Sequence, residues 1–378
     1  VLALELDMSF QTSPQVLDAG PRGAANLEAM SVLSTGRKQK LCFFKGDESG
    51  TQIGSHTVFD FNGEAQNVGM VQTWNQCEQM LLTSQDKPHS ILLMDTERGE
   101  TMSELSLRRQ QKNWNLQVES ITPMQKFDQY KSSNEYQLFG LGDEGHTVFA
   151  MSHDSRMGEN VEEHVIKADS HRKYKTYTFT CHAQTKGGYL VLGRTDGAIA
   201  LYDAIMKSEN ASCVIDGMVG PVTSIDVAAD GSMIAWTTPE FVFFTCPAPA
   251  NWTKSKAPKP AVLKLAMSAA DKEALAGSFL QGEGVECWRP IKFDATTARD
   301  EHGLREREII SYSGCVQMRW NVIRARAAWQ ALSEEDGAAN VFCGVPTKME
   351  AAVFRHVTVK DDTDVVALEN DIVKSLRF

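Results

Sequence analysis

The stretch GGYLVLGRTDGAIALYD (187–203) holds two short β-prone segments on either side of a tight turn. Residues 189–193 are mainly apolar, residues 195–197 have the composition of a turn, and residues 199–202 are apolar again. This pattern predicts two antiparallel strands joined as a β-hairpin. Whether the hairpin recurs along the chain decides the fold.

Seven segments of the 378-residue chain follow the same plan of a β-rich run, a turn and a second β-rich run. Further β-like pieces precede the fifth and sixth segments, at 222–227 and 291–293. Four strands per repeat is the plan of a propeller blade. The seven segments are LCFFKGDESGTQIGSHTVFDF (41–61), MLLTSQDKPHSILLMD (80–95), LFGLGDEGHTVFAM (138–151), YLVLGRTDGAIALYD (189–203), MIAWTTPEFVFFTC (233–246), IISYSGCVQMRW (309–320) and VFCGVPTKMEAAVF (341–354).

We therefore predict an all-β fold, a seven-bladed WD40-like β-propeller with short helical insertions, formed by residues 1–378 as a single domain. Residues 1–35 are expected to supply a leader and a strand that closes the ring against the last blade, which removes exposed sheet edges. A doubly wound α/β fold would need a helix of about 10 to 15 residues between strands. A pair of β-sandwiches would leave the seven similar hairpins unexplained.

Residues 247–290 are predicted to be an insertion between the fifth and sixth blades. The insertion begins with a Pro/Lys-rich loop and continues into MSAADKEALAGSF (267–279), where Ser268 and Asp271 can cap a short helix. A second helix is predicted at RARAAWQALS (324–333).

The repeats carry the WD signature only in part. Asp196 occupies the turn position of the repeat aspartate, but the expected Gly-His pair is missing, so we expect apolar packing to supply most of the rigidity. Where Trp-Asp is usual, the chain has Met94-Asp95, Tyr202-Asp203 and Trp320-Asn321.

The segments GYLVLGRTDGAIALYD (188–203) and GPVTSIDVAADGSMIAWTTPEFVFF (220–244) closely resemble the C-terminal propeller domain of the vacuolar import and degradation protein 27 family. The resemblance runs from about residue 92 to the C-terminus and includes LLMDTERGETMSEL (92–105) and EREIISYSGCVQMRWNV (306–322). It implies a cytoplasmic WD40-like protein, linked by name to vacuolar import and degradation, with no established catalytic activity or cofactor.

Charge and composition exclude several partners. The net charge of −11 opposes binding to nucleic acid or anionic lipid, and apolar runs are far shorter than the roughly 20 residues that span a bilayer. The basic clusters at 108–112 and 171–175 are interpreted as solvated loops. Eight widely spaced cysteines without a CxxC pair predict free thiols, no zinc site and a cytoplasmic location. The N-terminus lacks a secretion signal, and because it begins with Val1 we expect a longer parent protein.

Three patterns with possible chemistry are interpreted structurally. GLGDEG (140–145) spells GxGxxG but runs into another strand, so it predicts a hairpin turn and no phosphate site. The His- and acid-rich segment from 152 to 175 is predicted to be a solvated loop between blades, with His153 and Asp154 its single candidate pair. Since no GxSxG or HExxH occurs, no catalytic residue, cofactor or metal site is predicted.

We predict that the binding surface is the face that carries the turns between the second and third strands of each blade, because a rigid scaffold fixes many loops there. The prediction is a non-enzymatic scaffold that binds other proteins. The alternative is an enzyme or small-ligand-binding propeller that uses the central funnel. Arg194 and Tyr312 resemble the anchors that dominate interfaces. The predicted interaction residues are Lys45, Asp47, Lys87, His89, Asp143, His146, Arg194, Glu240, Tyr312 and Lys348.

Overall fold

A computed structural model describes the chain in two compact units, Val1–Pro123 with Arg355–Phe378 and Met124–Phe354. The described residues are 29–35, 38–44, 52–56, 58–60, 62–74, 79–95, 98–109, 114–123, 135–154, 159–167, 177–185, 188–202, 210–217, 219–228, 230–247, 259–276, 288, 291–293, 306–313, 316–334, 341–348, 354–360, 364–369 and 372–377.

The N-terminal part of the first unit holds one three-stranded sheet, one four-stranded sheet and a two-stranded ribbon, each antiparallel. The ribbon contains part of the basic cluster at 108–112, which was interpreted as a loop. The nine strands of these sheets are β1 (Ala29–Thr35), β2 (Lys38–Phe44), β3 (Gln52–His56), β4 (Val68–Trp74), β5 (Gln79–Ser84), β6 (Ser90–Asp95), β7 (Thr101–Ser106), β8 (Arg108–Arg109) and β9 (Trp114–Asn115), and β10 (Val118–Pro123) follows them in the chain.

In its described residues, the second unit is a succession of mainly antiparallel sheets, with one parallel pair, and two helices. Its elements are β11 (Glu135–Gly142), β12 (Thr147–Asp154), β13 (Glu159–Lys167), β14 (Phe179–Gln184), β15 (Leu190–Arg194), β16 (Ile199–Tyr202), β17 (Cys213–Ile215), β18 (Ser224–Val227), β19 (Ile234–Thr237), β20 (Val242–Thr245), β21 (Leu263–Ala266), α1 (Ala269–Ala274), β22 (Lys292–Phe293), β23 (Glu308–Ser313), β24 (Val316–Asn321), α2 (Val322–Glu334), β25 (Val341–Cys343) and β26 (Val345–Lys348).

Three strands near the C-terminus, β27 (Phe354–Lys360), β28 (Asp364–Glu369) and β29 (Ile372–Arg377), form a further sheet in the first unit. Both ends of the chain therefore contribute strands to the same unit. In the described residues the sheet β1-β2-β3 is separate from the sheet β27-β28-β29, so closure of a ring stays a prediction, as do the blade count and the single domain. None of the described helices is both long and apolar enough to cross a membrane.

Strand β15, in the stretch 187–203, shows why the strands of the second unit are continuous apolar runs in the sequence. Leu190 and Leu192 of β15 pack with Phe139 and Val148 of the preceding sheet, whereas Val191 between them belongs to the cluster formed with the following sheet. Alternate side chains leave opposite faces of a strand, so a sheet buried on both faces needs apolar residues at every position. The sheets of the second unit thus pack face to face in chain order.

The turn of this hairpin is closed by backbone bonds. Arg194 N–H donates to Ala198 O (3.0 Å), and Gly197 N–H donates to Arg194 O (3.1 Å). Gly197 has φ +82°, which favours glycine because it has no Cβ. Gly193 is required for a different reason, since a Cβ there would lie 2.7 Å from both Cys181 Sγ and Val222 Cγ1.

Six of the predicted hairpins are confirmed as antiparallel pairs, and the two predicted helices are present as α1 and α2. Ser268 caps α1 as predicted, accepting from Asp271 N–H. The seventh hairpin is wrong. Strand β25 pairs in parallel with β21, and β26 pairs with β24, because Gly344 between them lies at the junction of two sheets.

Two other predictions need correction. Residues 152–154 and 159–167 were interpreted as loop, but they form part of β12 and the whole of β13, the last strand of its sheet. Polar residues are common in edge strands, because one edge of such a strand pairs with no further strand of its sheet. Strand β21 lies inside the predicted insertion at 247–290 and continues the sheet of β18, β19 and β20.

Candidate interaction face

Three turns of the second unit are each hydrogen-bonded to the chain that leads into the next sheet. Phe179 N–H donates to Gly145 O (2.9 Å), and Val222 N–H donates to Arg194 O (3.0 Å). Trp288 makes the third link, with its backbone N–H to Pro239 O (3.4 Å) and its indole Nε1 to Glu240 O (3.2 Å). We call residues 143–146, 195–197, 219–223 and 238–241 the turn face. These links hold the turns in fixed positions.

The first turn has an unusual backbone. Asp143 and Glu144 have φ +55° and +57°, in the left-handed region that non-glycine residues seldom adopt. Asp143 is held there by Thr147, whose hydroxyl donates to its Oδ2 (3.0 Å). Gly145 is essential, since a Cβ would lie 2.0 Å from Phe179 O. Glu144 and His146 are consequently presented to solvent.

A buried ion pair forms the centre of the second turn. Arg194 is only 7% exposed, and its Nη2 and Nε lie 2.6 and 3.0 Å from the carboxylate oxygens of Asp196. Its guanidinium also stacks over the Tyr177 ring at 4.1 Å. Arg194, predicted as an interaction anchor, is therefore buried in this turn, and its role in binding stays a prediction. Its charge is neutralised within the protein, and it stiffens the turn.

The third turn and the strand entry beside it are open to solvent. Val219 is 68% exposed, and Gly220, Pro221, Pro239 and Glu240 are also exposed. Gly220 has φ +81°, and a Cβ on it would lie 3.4 Å from Pro239 Cδ, so the two segments are adjacent. Of the predicted interaction residues, Glu240 is thus placed on an exposed surface beside apolar neighbours.

In the first unit, the turn between β5 and β6 leaves its predicted interaction residues less exposed than expected. The Lys87 ammonium lies 2.8 Å from Asp60 Oδ2 and 3.0 Å from Glu104 Oε2. The hydrogen bond between Lys87 and Asp60 lowers the pKa of Asp60 and raises the pKa of Lys87. His89 Nδ1 donates to Leu116 O (2.9 Å). Lys87 and His89 are half-buried and already bound to neighbours.

Tyr312, the second predicted anchor residue, is also buried, and its role in binding likewise stays a prediction. It is 1% exposed, lies within β23, and accepts a hydrogen bond at its hydroxyl from Gln317 Nε2 (2.7 Å). Burial raises its pKa far above the usual value. Lys348 ends β26, and Lys45 and Asp47 lie outside the described residues.

The first strands of three successive sheets carry a separate polar cluster. Lys292 Nζ lies 3.8 Å from Asp226 Oδ1, and Asp226 Oδ2 accepts from Phe293 N–H (2.7 Å). Burial, with a smaller contribution from the Lys292 charge, lowers the pKa of His182 to about 4. No group of three or more His, Cys, Asp or Glu among the residues described by the structure could hold a metal ion.

Sequence reasoning missed Val219, Pro221, Glu144 and Pro239 as surface features. The available signal was weak: an isolated Val before a Gly-Pro pair, and a Pro within a turn. Neither pattern distinguishes an exposed apolar residue from one that packs beneath a loop.

Comparisons with known proteins agree with this architecture. The family model described as the VID27 C-terminal WD40-like domain matches residues 37–332. Vacuolar import and degradation protein 27 of Schizosaccharomyces pombe (strain 972 / ATCC 24843) is 24% identical over 306 residues, which are 77% of this chain and 35% of that protein. The chain thus spans well under two thirds of this relative. The β-propeller domain of Myceliophteria thermophila Cps50 (Swd1) matches with a TM-score of 0.59 and 10% identity, over 98% of this chain and 99% of that one, which shows the fold alone.

Proposed function

Because the chain belongs to the family of the VID27 C-terminal WD40-like domain, we propose that it is a non-enzymatic scaffold that binds other proteins through the turn face. The observation that carries the proposal is the set of backbone links between each turn and the next strand entry. A surface that is already ordered loses little conformational entropy on binding, which favours recognition. The exposed side chains differ from turn to turn, as a specific interface requires.

We further propose a cytoplasmic location and a role connected with protein trafficking or degradation. The support is the name of the relative, vacuolar import and degradation protein 27, together with the unpaired state of the described cysteines. The alternative of an enzyme that uses the central funnel has less support, since the sequence carries no GxSxG or HExxH motif.

Affinity capture tests the scaffold proposal. The tagged chain and a Glu144→Lys, Glu240→Lys variant are incubated with cytosol of the source organism, and bound proteins are identified by mass spectrometry. Glu273→Lys on α1 is the matched control, because Glu273 is also exposed but lies away from the turns in the chain. We expect defined partners that the double variant loses and the control retains. Equal capture by all three proteins would contradict a role for the turn face.

A second candidate function, binding of a small ligand, is favoured by the cluster of His182, Asp226 and Lys292. It is tested by thermal shift with a panel of cytosolic metabolites on the parent chain and on Asp226→Asn. A ligand that raises the melting temperature of the parent chain alone would favour it over the scaffold. No shift with any metabolite would leave the cluster without a ligand and favour the scaffold.

We also propose that the propeller has seven blades and closes near the chain ends. The support is that Val1–Pro123 and Arg355–Phe378 belong to one compact unit. Deletion of residues 1–35, which removes β1, should then lower the melting temperature sharply, because an unclosed sheet edge exposes backbone groups. An unchanged melting temperature would contradict closure by this segment.

A further inference from the structure

We infer that one part of the turn face, the patch formed by Val219, Pro221, Pro239 and Glu240, binds an extended basic segment of a partner protein through an apolar side chain. This inference rests on the proposed scaffold function. It adds the location of the contact and the chemistry of the partner.

The apolar part of the patch is unusually open. Val219 is 68% exposed, the highest value among the exposed large hydrophobic residues described in the second unit. Pro221 and Pro239 are exposed beside it, and Gly220 brings the two segments within contact distance. Adjacent exposed apolar groups rimmed by polar residues mark interaction sites more often than single ones do.

The patch is also rigid. Val222 N–H is bonded to Arg194 O (3.0 Å), and Thr223 N–H is bonded to Thr237 O (2.8 Å). The hydroxyls of Thr223 and Thr237 lie 2.9 Å apart and share a hydrogen bond. The chain that follows Val219 is thus fixed to both neighbouring hairpins, so a partner would meet a preformed surface.

Charge identifies the partner as basic. The exposed titratable side chains of the turn face are Glu144, His146 and Glu240. Arg194 is neutralised by Asp196 at 2.6 Å, and Lys264 lies over the Phe241 ring at 3.8 Å, so Glu240 supplies the charge of the patch itself. The whole chain carries −11, which adds long-range attraction for a positively charged segment. A second copy of this chain would be repelled.

The segment is expected to be extended, because the patch runs along the entry to β18 and the turn between β19 and β20. One apolar residue would lie on Val219, Pro221 and Pro239, with Lys or Arg on either side. In such a contact the buried apolar side chain would supply most of the binding energy. The pair between Glu240 and a basic residue would set the orientation of the peptide.

The test uses a short synthetic peptide in which Lys and Arg flank a central Leu-Pro-Phe, and its counterpart with Glu at every basic position. Binding to the intact chain is followed by fluorescence anisotropy at low and moderate salt. Val219→Ser and Glu240→Lys test the patch. Their matched controls are Val345→Ser, because Val345 is 66% exposed, and Glu273→Lys, because Glu273 is exposed on α1. All variants must retain the parent melting temperature.

We expect each patch variant to bind the basic peptide about tenfold more weakly than the parent chain. Both control variants should bind it with nearly the parent affinity. The acidic counterpart should not bind. Equal weakening by the controls, or unchanged affinity in both patch variants, would overturn the inference. If Val219→Ser also retains every partner captured by the parent chain, only the location and chemistry proposed here fail, and the scaffold function stands.

Discussion

The ion pair between Arg194 and Asp196 gives the sharpest test of how the central hairpin is stabilised. Asp196→Asn keeps the size of the side chain and the oxygen that accepts from Ala198 N–H (3.3 Å). It removes the negative charge and replaces the Oδ2 that accepts from Arg194 Nη2 (2.6 Å) with an NH2 group, which cannot accept. Arg194, 8% exposed at its side chain, then keeps its positive charge without the carboxylate.

The magnitude follows from burial. Removing one partner of a fully buried ion pair costs about 3–5 kcal/mol, whereas an exposed pair contributes about 0–1 kcal/mol. Asp196 is 26% exposed, and the Tyr177 ring still covers the guanidinium, so we expect a value between these limits. Asp196→Asn should lower the free energy of unfolding by about 2 kcal/mol.

The assay is urea unfolding followed by tryptophan fluorescence, with calorimetry as a second measure. Asp216→Asn is the matched control, because Asp216 pairs with Lys259 at 2.6 Å but the two side chains are 76% and 56% exposed. The control should change the free energy of unfolding by less than about 0.5 kcal/mol. If Asp216→Asn cost as much as Asp196→Asn, burial would not be the source of the stabilisation and the reasoning would be refuted.

Three further predictions concern the second unit. Gly193→Ala should destabilise it by about 1–3 kcal/mol in the same urea assay, because the new Cβ would lie 2.7 Å from Cys181 Sγ and Val222 Cγ1; an unchanged midpoint would show that β15 can move. Because burial lowers the pKa of His182 from 6.5 to about 4, the unfolded chain takes up the proton first, so stability is complete above pH 6.5 and falls as the pH drops toward 4. Between pH 7 and pH 5, the urea midpoint of His182→Gln should fall less than that of the parent chain. An equal fall would show that protonation of His182 does not cause the loss of stability. Burial raises the pKa values of Cys181 and Cys246 to about 12, so iodoacetamide at pH 8 should label exposed Cys343 well before either, as followed by peptide mass spectrometry; equal rates would contradict the burial of these thiols.

Local signals account for the part of the fold that could be predicted. The hairpin of β15 and β16 needs only an apolar run, Asp196-Gly197 at the turn, and a second apolar run, all within one segment of sequence. The helix α1 was equally accessible, because its cap depends on Ser268 and Asp271 alone. The interleaved packing of Leu190 and Val191 then follows from strand alternation.

Partners that are distant in sequence account for what was missed. Strands β25 and β26 look like a hairpin because they are neighbours in the chain, yet their ladders are made with β21 and β24. A local pattern carries no information about such pairs. Gly344 shows the constraint only in three dimensions, where a Cβ would lie 2.6 Å from Arg319 O.

The predicted interaction residues differ in exposure, which the sequence did not show. The sequence pattern predicts exposed turn residues, but Arg194 is covered by Asp196 and Tyr177, and Tyr312 lies within strand β23. Glu240 is exposed, as expected of a turn residue, and Pro239 before it is exposed as well. Val219 could not be selected, since an isolated apolar residue in a loop is more often buried than exposed.

The central claim is that the turn face of the second unit recruits a protein at the patch formed by Val219, Pro221, Pro239 and Glu240. The most direct measurement replaces Val219, and in a second protein Val345, with the photoreactive residue p-benzoylphenylalanine. After irradiation in cytosol of the source organism, crosslinked proteins are identified by mass spectrometry. We predict a defined protein attached at position 219 and absent at position 345, although both sites are about equally exposed. The same products at both positions, or none at position 219, would contradict the account.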